Sequence, residues 1–505
     1  MLAVFLFTAA ALRLYRISDK DVWLDEANTV LMAEKPLGDM MGALQLDSSP
    51  PLYYLMLHYW MGAFGNSEFA VRSLSACFGA LLVGGVFLVG WRLVSADVGA
   101  VAALLMTLAP MQVAHSQEAR MYSLLPLAAL GVMYFTWQCT LRSRRTDAAG
   151  LAVCMLVALY VHNYGLLLIP AVAILILITK TLRSRLKLWI GVAVAVSLGY
   201  LPWIASFAQQ LDNEGQYAWL VPLWNQWRFK VFQHTATTFA LGWGEISQVA
   251  GTTPIILVAI TPLYWAVAAY PAIRRSDDPS LERVVSFLLC FLLVPLAAAF
   301  LISILGAPCY VPGRCDQLVY PAFVLLAAVG LHRIASKALR YGLLTLIAAV
   351  LGTTLVFFYR GNGKAGDRDY CLAVLNHNPP VNTVLCTSLT RAQLEYYACR
   401  AARPLEIISY PRDTANHLGN QNDLELLKNP DFLAAEADTV IDQISRLTAP
   451  DGEFIFVGVR TPVNRILFQK ISDRTDENAT EDLGDFQQSM LYLPITVRVL
   501  RLDND

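Results

Sequence analysis

The sequence predicts a polytopic α-helical membrane protein with about eleven transmembrane helices, followed by a small C-terminal α/β domain. Of its 505 residues, 56% are hydrophobic and only 15% are charged, and the mean hydropathy is +0.48. This composition excludes a soluble multidomain protein of the same length. Residues 1–360 contain 24 Lys and Arg against 18 Asp and Glu, whereas residues 361–505 contain 14 against 21. We therefore expect two domains, 1–360 and 361–505, and neither is basic enough to indicate nucleic-acid binding.

Apolar segments separated by polar loops predict the membrane spans. We place these spans at residues 2–16, 69–91, 99–115, 121–141, 149–161, 165–179, 188–207, 254–273, 284–305, 317–332 and 341–359. The first segment has the length of a signal peptide, but no small-residue cleavage site follows it, so we expect a retained span.

Basic residues predict which side of the membrane each loop faces. The loops on one side carry fourteen Lys and Arg, whereas the opposite loops after the first carry only Arg72, Arg120, Arg228, Lys230 and Arg314. The positive-inside rule makes the side with fourteen charges cytoplasmic. The N-terminus is then cytoplasmic, and the loops around Asp25, Arg120 and Arg314 are extracytoplasmic, as is the C-terminal domain.

This alternation also decides two ambiguous segments. Both flanks of residues 149–179 are basic, so the segment must cross twice and turn at residues 162–165. Residues 51–64 are apolar, yet counting them as a span would invert every later loop. We expect them along the outer membrane interface, where Tyr53, Tyr54, Tyr59 and Trp60 suit the headgroup region.

Short β-like runs follow Arg360. They cover Thr383–Thr387, Leu405–Tyr410, Phe454–Val459 and Leu491–Leu502, and they alternate with helix-like stretches such as Asp431–Leu447. The runs predict a small α/β domain. It has neither a G-x-G-x-x-G motif after a strand nor a P-loop, so nothing indicates a nucleotide site.

Two adjacent carboxylates, Asp25 and Glu26, follow Trp23 in the first outer loop, residues 17–68. At the mouth of a membrane helix, such a pair can supply a general base. The alternative is structural, with Asp25 capping the next helix and Glu26 interacting with its dipole. Asp47 precedes Ser-Ser-Pro-Pro and suits a turn.

The second outer loop brings His115, Glu118, Arg120 and Tyr122 between two apolar segments. Ionisable groups near the bilayer are costly unless they are paired or used, so this loop is a candidate functional site, with an internal salt bridge as the alternative. The turn with His162 and Tyr164 gives a weaker signal, because a single histidine at a helix junction is more often structural.

The third outer loop places Arg314 between two prolines and Asp316. An arginine can grip phosphate oxygens in a bidentate manner, although a surface pair with Asp316 is the alternative. Cys309 and Cys315 flank this loop and could form a disulfide in an oxidising compartment, with two free thiols as the alternative. The other cysteines have no zinc-ligand spacing.

Four motifs in this order and on this side of the membrane resemble the C-type glycosyltransferases. They are Trp23-Leu24-Asp25-Glu26-Ala27, Pro50-Pro51-Leu52-Tyr53-Tyr54, Glu68-Phe69-Ala70-Val71-Arg72-Ser73-Leu74 and Ser116-Gln117-Glu118-Ala119-Arg120-Met121-Tyr122. The nearest branch resembles the bacterial relatives of protein O-mannosyltransferase and of lipid A aminoarabinose transferase. The similarity covers residues 1–360 and is strongest before residue 165.

The resemblance implies a bacterial plasma-membrane enzyme that inverts the anomeric carbon of a polyprenyl-phosphate sugar, of hexosyl or pentosyl type. The acceptor hydroxyl would belong to a lipid, a polysaccharide or a protein. Asp25 would be the general base with Glu26 beside it, and Arg120 and Arg314, with Arg72 in reserve, would hold the donor phosphate.

Asp47, His115, Glu118, Tyr122, His162 and Tyr164 are further candidates for the substrate site. Many relatives have a His before the Pro-Pro pair, where this chain has Ser49. Asp47, His115 and Glu118 are candidate ligands for a divalent metal, although their spacing indicates no particular ion.

Two other classes of protein share some of these features. A flippase or transporter of lipid-linked sugars is also polytopic, but transporters usually hold their charges near the bilayer midplane rather than in outer loops. A non-catalytic membrane scaffold that presents the C-terminal domain would leave Asp25 dispensable.

Overall fold

The computed structural model of the chain describes residues 1–47, 49–142, 144–212, 220–242, 255–274, 276–306, 308–361, 366–411, 426–448, 452–475, 481–487 and 493–502. The chain divides into two compact units. The first comprises Met1–Ile17, Ser49–Phe207 and Leu220–Gly361, and the second comprises Ser18–Ser48, Ala208–Trp219 and Asn362–Asp505. Residues 18–48 therefore cluster with the C-terminal residues, although the sequence grouped them with residues 1–360.

Helices account for the regular structure of the described residues before Gly361. In chain order they are α1 (Leu2–Leu14), α2 (Leu24–Glu34), α3 (Leu37–Leu46), α4 (Leu52–Phe64), α5 (Glu68–Leu93), α6 (Ala96–Leu108), α7 (Pro110–Ser116), α8 (Leu124–Leu141), α9 (Arg145–Val161), α10 (Leu168–Ile178), α11 (Lys180–Arg183), α12 (Leu186–Asp212), α13 (Leu220–Trp227), α14 (Val231–Leu241), α15 (Ile255–Ile273), α16 (Pro279–Ile304), α17 (Tyr320–Arg333) and α18 (Lys337–Arg360).

Each predicted span coincides with a helix or a broken helix, and the chain is a multi-pass membrane protein. Within the described ranges, six apolar helical stretches are long enough to cross a bilayer, and the pair α6 and α7 would make a seventh. The four other predicted spans correspond to α1, α9, α10 and α15, which do not meet this criterion in their described parts. The number eleven thus stays a prediction, and residue 254 of the eighth span lies outside the described residues.

Two helix breaks interrupt the apolar helices of the first unit. The axes of α6 and α7 meet at 61°, and the break falls at Ala109 and Pro110. Proline lacks the N–H that would continue α6, and it drives the preceding residue out of the helical region. A second break separates α9 from α10 at His162, which has extended backbone angles. This is the turn that the alternation of charged loops predicted.

The apolar segment after Pro51 forms α4, but its tyrosines do not all face outward as predicted. Tyr53 and Tyr54 are buried, and only Tyr59 is largely exposed. The Trp60 indole donates to the Ala70 carbonyl at 2.9 Å. The interfacial prediction is therefore wrong for Tyr53 and Tyr54, because one side of this helix packs within the first unit.

Glycines allow α5 and α6 to approach at backbone distance. A Cβ added to Gly99 would lie 2.5 Å from the Phe87 carbonyl oxygen and 3.0 Å from the Trp91 nitrogen. A Cβ on Gly90 would lie 2.9 Å from the Gly99 Cα. Membrane helices gain van der Waals contact by placing such small residues at their interfaces.

The second unit contains a five-stranded mixed sheet. Its strands are β1 (Thr383–Thr387), β2 (Glu406–Tyr410), β3 (Glu453–Val459), β4 (Glu481–Gln487) and β5 (Pro494–Arg501), and their spatial order is β2-β1-β3-β5-β4. Strands β2, β1 and β3 are parallel, with Thr383 opposite Glu406 and Val384 opposite Ile455. Strand β5 runs antiparallel to both β3 and β4.

The four predicted β-runs correspond to β1, β2, β3 and β5, although residues 491 and 492 of the last run lie outside the described residues. In the part of this region that the structure describes, the helices are α19 (Asp367–Leu375), α20 (Ser388–Arg400), α21 (Pro430–Leu447) and α22 (Arg465–Asp473). Leu385 and Phe456 pack with residues of α21 and α22 in one apolar core. Val384 and Cys386 point to the opposite face and are buried as well, so helices cover both faces of β1.

We predict that Gly99→Ala destabilises the first unit by about 1–3 kcal/mol, because the new methyl group would displace backbone rather than a flexible side chain. Thermal unfolding of the purified protein in detergent measures the change. Gly191→Ala in α12 is the matched control, since an added Cβ there meets nothing within 4 Å. An unfolding midpoint for Gly99→Ala at or above that of the control would contradict this account of the helix contact.

Candidate functional site

The loop after α7 is held by a hydrogen bond from α5, and a side chain of α4 supports that bond. The backbone oxygen of Arg120 accepts from the Ser75 hydroxyl of α5 at 3.0 Å. The same hydroxyl lies 2.7 Å from the Tyr53 hydroxyl of α4. Arg120 itself is 8% exposed. These contacts hold the Arg120 backbone and so limit where its guanidinium group can reach.

Two arginines converge on the ring of Tyr122. The Cζ atom of Arg120 lies 5.6 Å from the ring centroid, and the Cζ atom of Arg314 lies 5.9 Å from it. Each contact is within the range of a cation–π interaction. An anion that contacts both guanidinium groups would accept charge-assisted hydrogen bonds from each of them. We call Arg120, Tyr122, Arg314, His162 and Tyr164 the arginine–aromatic cluster.

The Arg314 loop is built on a buried carboxylate. One oxygen of Asp316 accepts from the Gly313 backbone N–H at 2.8 Å, and the other accepts from the Thr235 hydroxyl at 2.9 Å. Gly313 has a φ of 81°, which favours glycine. Asp316 therefore shapes the loop that carries Arg314, a role different from the surface pair considered above.

His115 ties α7 to this loop. Its Nε2 lies 2.8 Å from the Gly313 carbonyl oxygen, and its Nδ1 lies 3.3 Å from a carboxylate oxygen of Glu118. Its ring is 5.0 Å from that of Tyr122. The pair of Glu118 and His115 therefore borders the arginine–aromatic cluster.

The turn between α9 and α10 completes the cluster. The His162 and Tyr164 rings stack at 4.2 Å, and His162 lies 6.0 Å from Tyr122. The Tyr164 hydroxyl donates to the Cys309 carbonyl at 2.9 Å, which links this turn to the Arg314 loop. Cys309 and Cys315 are both free thiols, so the structure does not contain the disulfide considered above.

Histidine 162 is held as a neutral donor. The Tyr164 backbone N–H donates to its Nδ1 at 3.1 Å, so the ring proton must lie on Nε2. Burial, together with the positive charges of Arg120 and Arg314, lowers the pKa of His162 to about 3. The side chain thus offers one N–H beside two guanidinium groups without adding a third charge.

The other candidate for phosphate binding, Arg72, is fully buried and contacts a different set of groups. It donates to the Ile17 carbonyl at 2.8 Å and pairs with Glu68 at 3.5 Å. These contacts tie the end of the first segment to α5.

The acidic candidates of the first loop belong to the second unit. Helix α2 has Trp23 as its N-cap residue, and Asp25 and Glu26 lie in its first turn. Asp25 is therefore not the helix cap that the alternative interpretation required. Glu26 is fully buried, whereas Asp25 is partly exposed. Asp47 follows the last residue of α3, as the turn signal indicated.

Some parts of this site gave no motif in the sequence. Thr235 bonds both Asp316 and the Tyr310 hydroxyl, and Ser75 supports Arg120. In the sequence, Thr235 and Ser75 stand out only as polar residues among apolar ones. That pattern does not indicate which distant residue each of them would contact. Among the described residues, no group of three or more His, Cys, Asp or Glu is placed to hold a metal ion.

Comparisons with known proteins agree with the resemblance seen in the motifs. Residues 48–205 match the family model of dolichyl-phosphate-mannose-protein mannosyltransferases. No curated protein matches the sequence. Among solved structures, ArnT from Cupriavidus metallidurans bound to undecaprenyl phosphate is similar over 98% of this chain and 97% of that chain, with 13% identity and a TM-score of 0.59.

Two further structures show the same fold. ArnT of the same organism in the apo state has 14% identity and a TM-score of 0.59, again over 98% of this chain and 97% of that chain. The Archaeoglobus fulgidus oligosaccharyltransferase in complex with Zn and sulfate has 13% identity and a TM-score of 0.55, over 91% of this chain and 67% of that chain. The predicted resemblance to the C-type glycosyltransferase superfamily is confirmed.

We predict that His162→Gln reduces the loss of stability on acidification. The pKa of His162 in the folded protein, about 3, lies below the ordinary value of 6.5, so the unfolded chain takes up this proton first. Stability should fall as the pH drops from about 6.5 towards 3, by at most about 1.4 kcal/mol per pH unit. Unfolding midpoints at pH 7.5 and 4.5 measure the effect.

The internal control compares the unfolding midpoints at pH 7.5 and 8.5, where the change in midpoint should be the same for wild type and His162→Gln. An equal loss of stability in both proteins on acidification would contradict the assignment of a neutral His162.

Proposed function

We propose that this chain is an inverting membrane glycosyltransferase that moves a hexosyl or pentosyl group from a polyprenyl-phosphate donor to an acceptor hydroxyl. The observation that carries the proposal is the placement of two guanidinium groups, those of Arg120 and Arg314, at 5.6 and 5.9 Å from one tyrosine ring. The fold shared with a structure that holds undecaprenyl phosphate supports the same class of donor.

In this proposal Asp25 is the general base. Its carboxylate takes the proton of the acceptor hydroxyl while the acceptor oxygen attacks the anomeric carbon from the side opposite the phosphate. The bond from that carbon to the phosphate oxygen breaks with its electron pair on the phosphate, and the configuration inverts. Glu26 is buried next to Asp25 in the chain, so its role is to shape the surroundings of the base.

The leaving phosphate gains negative charge as the glycosidic bond breaks. Arg120 and Arg314 are preorganised donors for that charge, and each such donor is typically worth about 3–4 kcal/mol in the transition state. The Nε2–H of His162 can donate to the same phosphate. Tyr122 and Tyr164 hold these groups in place through ring contacts, and His115 and Glu118 border them. Asp47 and Arg72 stay candidates with a supporting role.

The proposed reaction takes place on the extracytoplasmic face of a bacterial plasma membrane. The count of basic residues per loop supports a cytoplasmic N-terminus and an extracytoplasmic C-terminal domain. Residues 1–360 would then carry the donor site in their extracytoplasmic loops, and residues 361–505 would also be extracytoplasmic. The acceptor is a lipid, a polysaccharide or a protein of the cell envelope.

We predict that Asp25→Asn lowers sugar transfer by at least about 100-fold, because a general base is worth about 10²–10⁴ in rate. Under this proposal, membranes of cells that lack the gene should accumulate the donor and the unmodified acceptor, and these membranes serve as the source of both substrates. Purified protein is added, and mass spectrometry follows the conversion of polyprenyl-phosphate sugar to polyprenyl phosphate. Asp39→Asn, an exposed acid in α3 of the same loop, is the matched control and should keep full activity.

Full activity of Asp25→Asn would remove Asp25 as the base. If the wild-type protein released no polyprenyl phosphate from the accumulated donor, the glycosyltransferase proposal would fail and a flippase would be favoured.

We predict that Cys399 reacts with a membrane-impermeant maleimide in intact spheroplasts. This thiol is free and exposed in the second unit, which the proposed topology places outside. Cys399→Ser should abolish the label, and Arg144→Cys, in a predicted cytoplasmic loop, combined with Cys399→Ser should react only after permeabilisation. Labelling of Cys399 that also needed permeabilisation would reverse the proposed sidedness.

A further inference from the structure

Helix α2, which carries Asp25, depends on other parts of the second unit for its position. It has only 11 residues, and its N-cap residue Trp23 makes no side-chain capping bond. Isolated helices of this length are marginal in water, so tertiary contacts must stabilise α2. Ala27, Val30 and Ala33 recur on one side of α2 and are fully buried, and α2 packs against α20 of the C-terminal domain.

The chain just before α2 is bound to the start of α19. One carboxylate oxygen of Asp21 accepts from the backbone N–H groups of Gly366 and Arg368, both at 3.1 Å. The other oxygen lies 3.7 Å from the Arg368 Nε. A carboxylate at a helix N-terminus interacts favourably with the helix dipole, so Asp21 acts as a cap supplied from a segment distant in sequence.

A tyrosine of α20 holds the next residue. The Val22 backbone N–H donates to the Tyr397 hydroxyl at 3.1 Å, and the Arg368 Nε donates to the same hydroxyl at 3.4 Å. The Val22 nitrogen is three residues before Asp25. The Tyr397 hydroxyl oxygen therefore connects the segment just before α2 to α19 and α20 of the C-terminal domain.

A charge pair holds the other end of α2. Arg400, at the end of α20, bonds Glu34, the last residue of α2, at 3.0 Å. The guanidinium group of Arg400 stacks on the Tyr396 ring, with its Cζ 3.5 Å from the centroid, which limits the directions in which it can reach. Helix α2 is thus fixed at both ends as well as along its buried side.

We propose that the C-terminal domain positions the general base, with Tyr397 and Arg400 as positioning residues that hold α2 so that Asp25 reaches the acceptor hydroxyl. This inference rests on the proposed function of Asp25. It gives residues 361–505 a direct part in the rate of the chemical step, because a displacement of a reacting group by about 1 Å can lower a rate about 100-fold. Tyr397 and Arg400 act through Asp25 and touch no substrate in this proposal.

The first test removes a single hydroxyl group. Tyr397→Phe keeps the ring and loses the acceptor for Val22, and we expect kcat to fall about 5- to 10-fold, with the KM for the accumulated polyprenyl-phosphate sugar unchanged within about 2-fold. The donor KM should stay constant because the proposed phosphate contacts come from Arg120 and Arg314. Tyr410→Phe is the matched control, since this buried hydroxyl of the same domain donates to the Leu433 carbonyl, away from α2.

Hydrogen exchange distinguishes positioning from general destabilisation. Peptides that cover residues 22–34 should exchange faster in Tyr397→Phe than in the wild type, whereas in Tyr410→Phe they should match the wild type. Unchanged exchange in this segment, or a loss of kcat that Tyr410→Phe reproduces, would overturn the proposal.

The second test reverses the charge pair. Arg400→Glu should lower kcat, and the double variant Glu34→Arg with Arg400→Glu should recover at least half of the lost rate. Lys470→Glu is the control, because it breaks a pair with Asp438 in the same domain that does not involve α2. Failure of the double variant to recover would contradict the role of this pair.

The two proposals fail in different ways. Full transfer by Asp25→Asn would overturn the base itself, and the positioning proposal with it. An inactive Asp25→Asn together with full kcat in both Tyr397→Phe and Arg400→Glu would leave the base in place and overturn only the positioning by the C-terminal domain.

Discussion

The convergence of two arginine side chains on one tyrosine ring is the constraint on which the rest of the site depends. The two guanidinium groups lie near the same ring, and a neutral histidine beside them adds a donor without more charge, so an anionic ligand with several acceptor atoms suits the cluster. A phosphate group meets these requirements, because it carries negative charge and several acceptor oxygens. A nucleotide fold is not needed for such a donor when the lipid chain itself anchors the phosphate at the membrane.

The first unit builds this arrangement from interruptions in its helices. Pro110 separates the bent pair of helices α6 and α7, and His162 ends α9. Gly313 allows the tight turn before Arg314. Each interruption frees a short polar segment at the end of an apolar helix. Buried groups such as Asp316 and Ser75 then hold these segments by hydrogen bonds to their backbones. Irregular backbone near a membrane is tolerated where it is satisfied in this way.

The sequence predicted the helices and most strands well, because apolar runs and loop charges are local signals. It also singled out the loops around Asp25, Arg120 and Arg314 as candidate site loops, since ionisable residues between apolar segments are conspicuous. The inward orientation of Tyr53 and Tyr54 was not predictable from composition, because aromatic residues suit both the interface and the protein interior. The partnership of Thr235 with Asp316, and of Tyr397 with Val22, joins residues far apart in the chain, which no local pattern encodes.

Ligand retention in native mass spectrometry shows whether the arginine–aromatic cluster holds a lipid-linked phosphate. Purified protein is offered polyprenyl phosphate or the uncharged polyprenol of the same chain length. The account predicts that the wild type retains polyprenyl phosphate in preference to polyprenol. It also predicts that the double variant Arg120→Gln with Arg314→Gln loses at least about 10-fold in affinity for the phosphate. Equal retention of both lipids by the wild type, or undiminished phosphate binding by the double variant, would contradict it.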